Sequence, residues 1–315
     1  MTDVPHESGA APAIPTIRSS VSAPRLPRVA AALSAARLPV PPLAPAVTAL
    51  AFAVLFANPA ILLVRDWFRD PDAGHGLLLL PIAVWIAWRS RVHPDARANP
   101  VLGIATLVFA VLLRFAADRA AEPYTMRMSM VIAAAGLTLY FAGRHQLVRW
   151  WLPFTLAALS VPLPAIVLNA IAIPLQLQAS EMGAALLEWR HVPVLLLGNV
   201  IRIPEHELFV ATACSGLRSI TALVSLGLIL GWGTLRHPLS RLFVLGAALP
   251  VAIIVNAVRV FLTAYLMYFV SPELGSGFMH VTEGWLLFLG AFAALAGLTA
   301  ATGGVERMMT RRAQR

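Results

Sequence analysis

No lysine occurs in this 315-residue sequence, and all 24 basic residues are arginine. Schiff-base chemistry and Ser–Lys nucleophile pairs need an ε-amine, so both are excluded. Cysteine is nearly as scarce. Cys214 is the single one, so no intrachain disulfide can form and no Cys-rich zinc site can be built. The thiol is either packing or a nucleophile. Charge is thin too: 12% of residues are charged and 59% are hydrophobic, against about a quarter charged in ordinary soluble domains. These proportions describe a polytopic membrane protein. The sequence has no His-Glu-x-x-His, which removes a zincin protease. Nor does it show a Gly-rich phosphate loop or an internal repeat. His75, His206 and His280 could meet only through folding, and no metal or cofactor is expected.

The formal charge is +9. Arginines scattered between apolar runs set membrane topology more readily than they bind nucleic acid, so no nucleic-acid partner is expected. Residues 1–42, rich in Ala, Pro, Ser and Arg, read as a disordered cytoplasmic tail, residues 43–303 as the integral-membrane domain, and 304–315 as a basic cytoplasmic tail. A spanning helix needs about 20 mainly apolar residues. By that measure spans fall at 43–64, 76–89, 101–117, 126–143, 147–163, 214–233, 241–269 and 281–303, eight in all. With both termini inside, the arginine-rich connections (Arg89, Arg91, Arg97; Arg144, Arg149; Arg236, Arg241; Arg307, Arg311, Arg312) are cytoplasmic. The poorer outer loops keep Arg65, Arg69, Arg119, Arg190 and Arg202, several beside acids.

One segment breaks the spanning pattern. IVLNAIAIPLQLQASEMGAALLEW carries Asn169, Gln176, Gln178, Ser180, Glu181 and Glu188 among its apolar residues and reads as a helix lying at, or dipping into, the outer interface. After it, β-branched runs flank Gly198-Asn199 and Pro204-Glu205-His206, which is hairpin chemistry. The expected fold is therefore an all-α polytopic membrane protein of about eight transmembrane helices, with a small outer-face β-hairpin and an interfacial helix.

That β element delivers the chain to Cys214, in the first turn of the sixth span, where unpaired N–H groups and the helix dipole favour a thiolate. Arg218, at i+4, shares its face and adds positive potential. In the seventh span Asn256, Arg259 and Thr263 share a helix face near the outer end, and an arginine there is expensive unless it meets protein or water. His280 opens the eighth span with Glu283 nearby. Thiol, guanidinium and imidazole thus come to one membrane depth from three helices. That set suits acyl transfer: a thiolate attacks a carbonyl, a histidine moves protons, and an arginine stabilises the oxyanion. The rival reading is a transporter or polysaccharide-export component in which Arg218 and Arg259 line an anion path. A pore, however, has no need of a lone thiol at a helix start.

ACSGLRS (213–219), NAVRVFLTA (256–264) and the histidine of FMHVTEGW (278–285), in that order and spacing, resemble the exosortase family. So do SVPLPAIVLNAIAIPLQLQAS (160–180) and GNVIRIPEHELFVATA (198–213). The resemblance implies an integral-membrane, transpeptidase-like cysteine protease of the bacterial inner membrane. Its implied substrates are membrane-tethered proteins with a C-terminal Pro-Glu-Pro sorting signal, in bacteria that export polysaccharide. It implies Cys214 as nucleophile, Arg259 as assisting cation and His280 as acid/base residue. Arg218, Asn256, Ser215 and His75 stand in support. The family's Tyr-Ser-His-Gly is here Ala73-Gly74-His75-Gly76. The histidine is kept and the tyrosine and serine are not.

Overall fold

A computed structural model describes residues 43–70, 73–210, 217–271 and 277–314, the side chains of 44, 45, 217–219, 277–283 and 313 excepted. The expected tail 1–42, and Cys214 with Ser215, lie outside the described residues. Helices α1 (Ala44–Arg69), α2 (Gly76–Ser90), α3 (Pro100–Arg119), α4 (Pro123–Arg149), α5 (Trp151–Leu159) and α6 (Ala165–Trp189) come first. Strands β1 (Leu195–Leu197), β2 (Val200–Ile203) and β3 (His206–Phe209) follow, then α7 (Leu217–Thr234), α8 (Pro238–Phe269) and α9 (Gly277–Ala313). Six of these helices, α1, α3, α4, α6, α8 and α9, are long and apolar enough to cross a membrane, and α2 and α7 are apolar but shorter.

Local chemistry sets several boundaries. Proline, which has no N–H to leave unpaired, stands at the start of α1, α3, α4 and α8. The Asn99 side chain caps α3 by accepting from Leu102 N at 3.2 Å. Glu122 caps α4 by accepting from Tyr124 N at 3.1 Å and Thr125 N at 2.6 Å. Helices α3 and α4 pair closely through glycines. A Cβ on Gly103 would lie 2.6 Å from the Tyr140 backbone, and one on Gly136 only 3.0 Å from Leu107.

Polar contacts tie the first five helices together at both ends. Arg127 of α4 pairs with Asp66 of α1 at 2.6 Å, and the Trp67 indole donates to the Ser160 carbonyl at 2.8 Å. At the opposite end, Gln146 accepts from His93 N (3.0 Å) and donates to Arg91 O (3.2 Å), while the Trp150 indole donates to Ser90 Oγ at 2.9 Å. The Trp151 ring meets Trp232 near the end of α7, with centroids 4.6 Å apart. The end of α7 therefore lies level with the start of α5. The starts of α7 and α9 and the end of α8 lie at the Trp67–Ser160 end, here called the sheet side.

Six of the described helices rather than eight are long and apolar enough to cross, and the expected span at 147–163 is a helix of only nine residues running from the Trp150 end to the Ser160 end. Gly143 leaves helical geometry, with φ 76° and ψ −177°, because the Arg97 carbonyl passes where any Cβ would sit. α4 bends there, runs on to Arg149, and the chain restarts at Trp151 as a helix of nine residues. Hydropathy could not show this, because a kink made by one glycine barely changes an average.

Helix α6 is the segment expected to lie at, or dip into, the outer interface. Its 25 residues would suffice to cross a bilayer, yet both its ends are on the sheet side. It begins a few residues after Ser160, and its last turns pack with Val192, Ile201 and Val210 of the strand segment against Val260 and Ala264 of α8. The helix therefore returns the chain to the side it left. The strands form an antiparallel sheet in the order β1-β2-β3, a second hairpin beyond the single one expected. Gly198, at φ 63°, opens the first two-residue turn, and Pro204-Glu205, with Glu205 at φ 66°, makes the second.

Candidate active site

Helices α7, α8 and α9 share one apolar core: Leu223 of α7, Val244, Ala248 and Ala252 of α8, and Ala291 and Leu295 of α9, with Ile220, Val255 and Phe288 against its upper edge. On the sheet side of that core α8 changes character. The next α8 residues inward are Asn256, 5% exposed, and Thr263, 2% exposed, with half-buried Arg259 between them. A polar stripe one to two turns long thus stands directly on an alanine-lined seam.

The Arg259 guanidinium does not run along α8 toward its end. It crosses to α9 and lies against the backbone of Gly284, where an added Cβ would be 3.2 Å from Nη2 and 3.3 Å from Cζ. Gly284 is four residues after His280 and so shares its helix face. The seat for the cation thus lies one turn below the histidine position. Leu217, the first helical residue of α7, stands three residues after Cys214, and α7 packs beside both α8 and α9. The thiol itself, Ser215, and the Arg218 and His280 side chains are outside what is described.

Behind Arg259 the wall is formed by α6. Gly183 admits Val260, whose Cγ1 would stand 2.7 Å from a Cβ there. Over it sits the sheet, braced by Val210 N donating to Asn199 O at 2.9 Å and by the exposed Arg202–Glu207 pair at 2.7 Å. Val210 is buried in the cluster that packs the strands on α6 and α8, and the described chain resumes at Leu217 in α7.

The profile of the transmembrane exosortase family matches residues 67–297. The chain belongs to that family. No curated protein and no solved structure matches it. The exosortase match takes in α2 through most of α9, including all the elements that meet at Arg259. It is a multi-pass membrane protein.

His75 sits elsewhere in this exosortase fold. Its Nε2 lies 3.2 Å from the Leu159 carbonyl, and its Nδ1 is buried without a hydrogen-bond partner among the described residues. Its neighbours Trp67, Ala73 and Val161 belong to the α1–α2–α5 cluster rather than to the α7–α9 core. Among the described residues no group of three His, Cys, Asp or Glu is placed to hold a metal ion. Gly284 and Gly183 were not singled out from the sequence. Gly284 had a legible signal, since it stands at i+4 from a candidate proton carrier. Gly183 had none, because its reason is a valine on another helix.

Proposed function

We propose that this exosortase-family protein is a cysteine peptidase or transpeptidase that cuts C-terminal Pro-Glu-Pro sorting signals of membrane-tethered proteins. The sheet side is the outer face of the bacterial inner membrane, in a cell that exports polysaccharide. Both termini, and the arginine-rich connections at the far ends of the helices, are cytoplasmic. The observation that carries the reading is the Arg259 guanidinium seated on Gly284, one turn from His280 and beside the start of α7.

In this mechanism the Cys214 thiolate attacks the scissile carbonyl carbon, and the negative charge moves to the oxygen, where Arg259 meets it. The C–N bond then breaks as His280 protonates the leaving amine, giving a thioester and a released C-terminal tail. Water, an amine or a hydroxyl next attacks the thioester, gives its proton to His280, and the C–S bond breaks to regenerate the thiolate. Arg218 holds the site's positive potential near the thiolate, and Asn256 fixes the stripe from which Arg259 projects.

The test uses purified protein in nanodiscs with a labelled substrate tail. A covalent adduct on Cys214 is expected by mass spectrometry, and Cys214→Ala should insert normally and cleave nothing. In cells, a membrane-impermeant thiol reagent added outside should label Cys214. Cleavage at the normal rate by Cys214→Ala overturns the mechanism, and an unlabelled thiol overturns the orientation.

A further inference from the structure

Between His75 and Arg89 the apolar stretch of α2 rises only about 20 Å at 1.5 Å per residue, against a hydrocarbon core of about 30 Å. Nothing lets α2 reach further. At its start, Gly76 lies against the Trp67 indole and the Ser160 carbonyl, where no Cβ would fit. At its end, Ser90 is held by the Trp150 indole. Along its length Leu79 and Ala83 pack on Leu156 of α5, itself nine residues long. A shorter stretch cannot correct mismatch by tilting, since tilt only reduces its projected height.

The other face of α2 is open. Trp88 is 76% exposed, and Leu78, Val84 and Trp85 are exposed beside it. Trp67, Leu77, Leu80, Pro81, Val84, Trp85 and Trp88 line a shallow, almost wholly apolar groove of about 470 Å³ between α1 and α2. At the Arg89 end the exposed Trp85 and Trp88 take the position such rings occupy at a membrane–water boundary, while Trp67 at the other end is buried and donates to the Ser160 carbonyl. The Arg89 guanidinium, rather than extending outward, lies 5.6 Å from the Trp85 ring, one turn further in. Polar charge thus sits deeper on this face than the helix end alone would put it.

We propose that the α2 face is a lipid-contacting surface that holds the adjoining bilayer thin, its hydrocarbon compressed to about 20 Å between the levels of Trp67 and Trp88. The occupant of the groove is phospholipid acyl chain. The surface rests only on the protein's place in a membrane and is independent of the chemistry at Cys214.

Nitroxide labels test this. Single cysteines along α2 and along α3 are placed in Cys214→Ser protein, which is reconstituted in dioleoyl phosphatidylcholine. Collision with oxygen and with a water-soluble nickel complex then locates the two polar boundaries beside each helix. Beside α3 they should lie about 30 Å apart, and beside α2 about 20 Å. Equal separations beside the two helices overturn the proposal. So do α2 labels shielded from both reagents, because protein, a second copy or a bound substrate helix, would then cover the face.

Discussion

The helices before the strands and those after them use polar residues in opposite ways. In α1–α5 polar side chains act as end clamps: Asp66 with Arg127, Trp67 with Ser160, Gln146 with the α2–α3 connection, and Trp150 with Ser90. Each joins two segments far apart in sequence. In α8 the polar residues Asn256, Arg259 and Thr263 instead run along one inward face, above a seam of alanines. Clamps hold a shape. A polar stripe inside a membrane protein raises the energy of the folded chain and is retained where it does chemistry.

Substitutions can break that contrast. The largest loss of stability is expected at the Asp66–Arg127 clamp. Arg127 is 6% exposed, and Asp66→Ala leaves its charge without this partner, at a cost of about 3 kcal/mol. Thermal unfolding in detergent should show it, and Asp66→Ala with Arg127→Leu should recover most of it. Substrate cleavage below the unfolding temperature should be unchanged.

The stripe should behave in reverse. Arg259→Lys keeps the charge but not the planar fork, and activity should fall about 10²–10³-fold, the usual loss for one oxyanion donor, with little change in unfolding temperature. Gly284→Ala should act in the same direction more weakly, about tenfold, because it only moves the guanidinium by a few tenths of an ångström. If Gly284→Ala lowers stability and leaves cleavage intact, the seat is structural and the contrast between the two regions is lost.

The smallest effect belongs to Glu122 at the α3–α4 turn. The Thr125 hydroxyl first, then the Thr125 and Tyr124 N–H groups, hold its carboxyl below the ordinary 4.5. A depressed carboxylate contributes stability above its unfolded pKa, and loses it as the pH falls through the folded value. Glu122→Ala should therefore cost about 1 kcal/mol at pH 7. Its gap from the parent protein should narrow in acid, below pH 4.5; a gap constant with pH would assign the effect to packing.

Long apolar runs and turn chemistry were readable from the sequence. The hairpin signals at Gly198-Asn199 and Pro204-Glu205 both correspond to turns, and Asn256, Arg259 and Thr263 do share an inward face. The break at Gly143 was not readable, because its cause is a carbonyl of Arg97 arriving from another connection. The interfacial reading of α6 came from its polar residues, although its length and composition permit crossing. Only the packing of its last turns beneath the sheet shows where it ends.

Beyond the apolar core that α8 and α9 share, two polar contacts near opposite ends of α9 fix its register. Gly284 receives the Arg259 guanidinium. Near the other end, Glu306 accepts from Arg236 N at 3.1 Å and His237 N at 2.9 Å, just before α8 begins. These points lie roughly 33 Å apart along α9 at 1.5 Å per residue. Advancing α9 by a single residue would turn its side chains through about 100°, carrying Gly284 off the guanidinium and Glu306 off the amides together. The two contacts thus index the helix like teeth in a ratchet with one permitted position. The residue at 280 inherits its azimuth from a carboxylate on the opposite surface of the membrane.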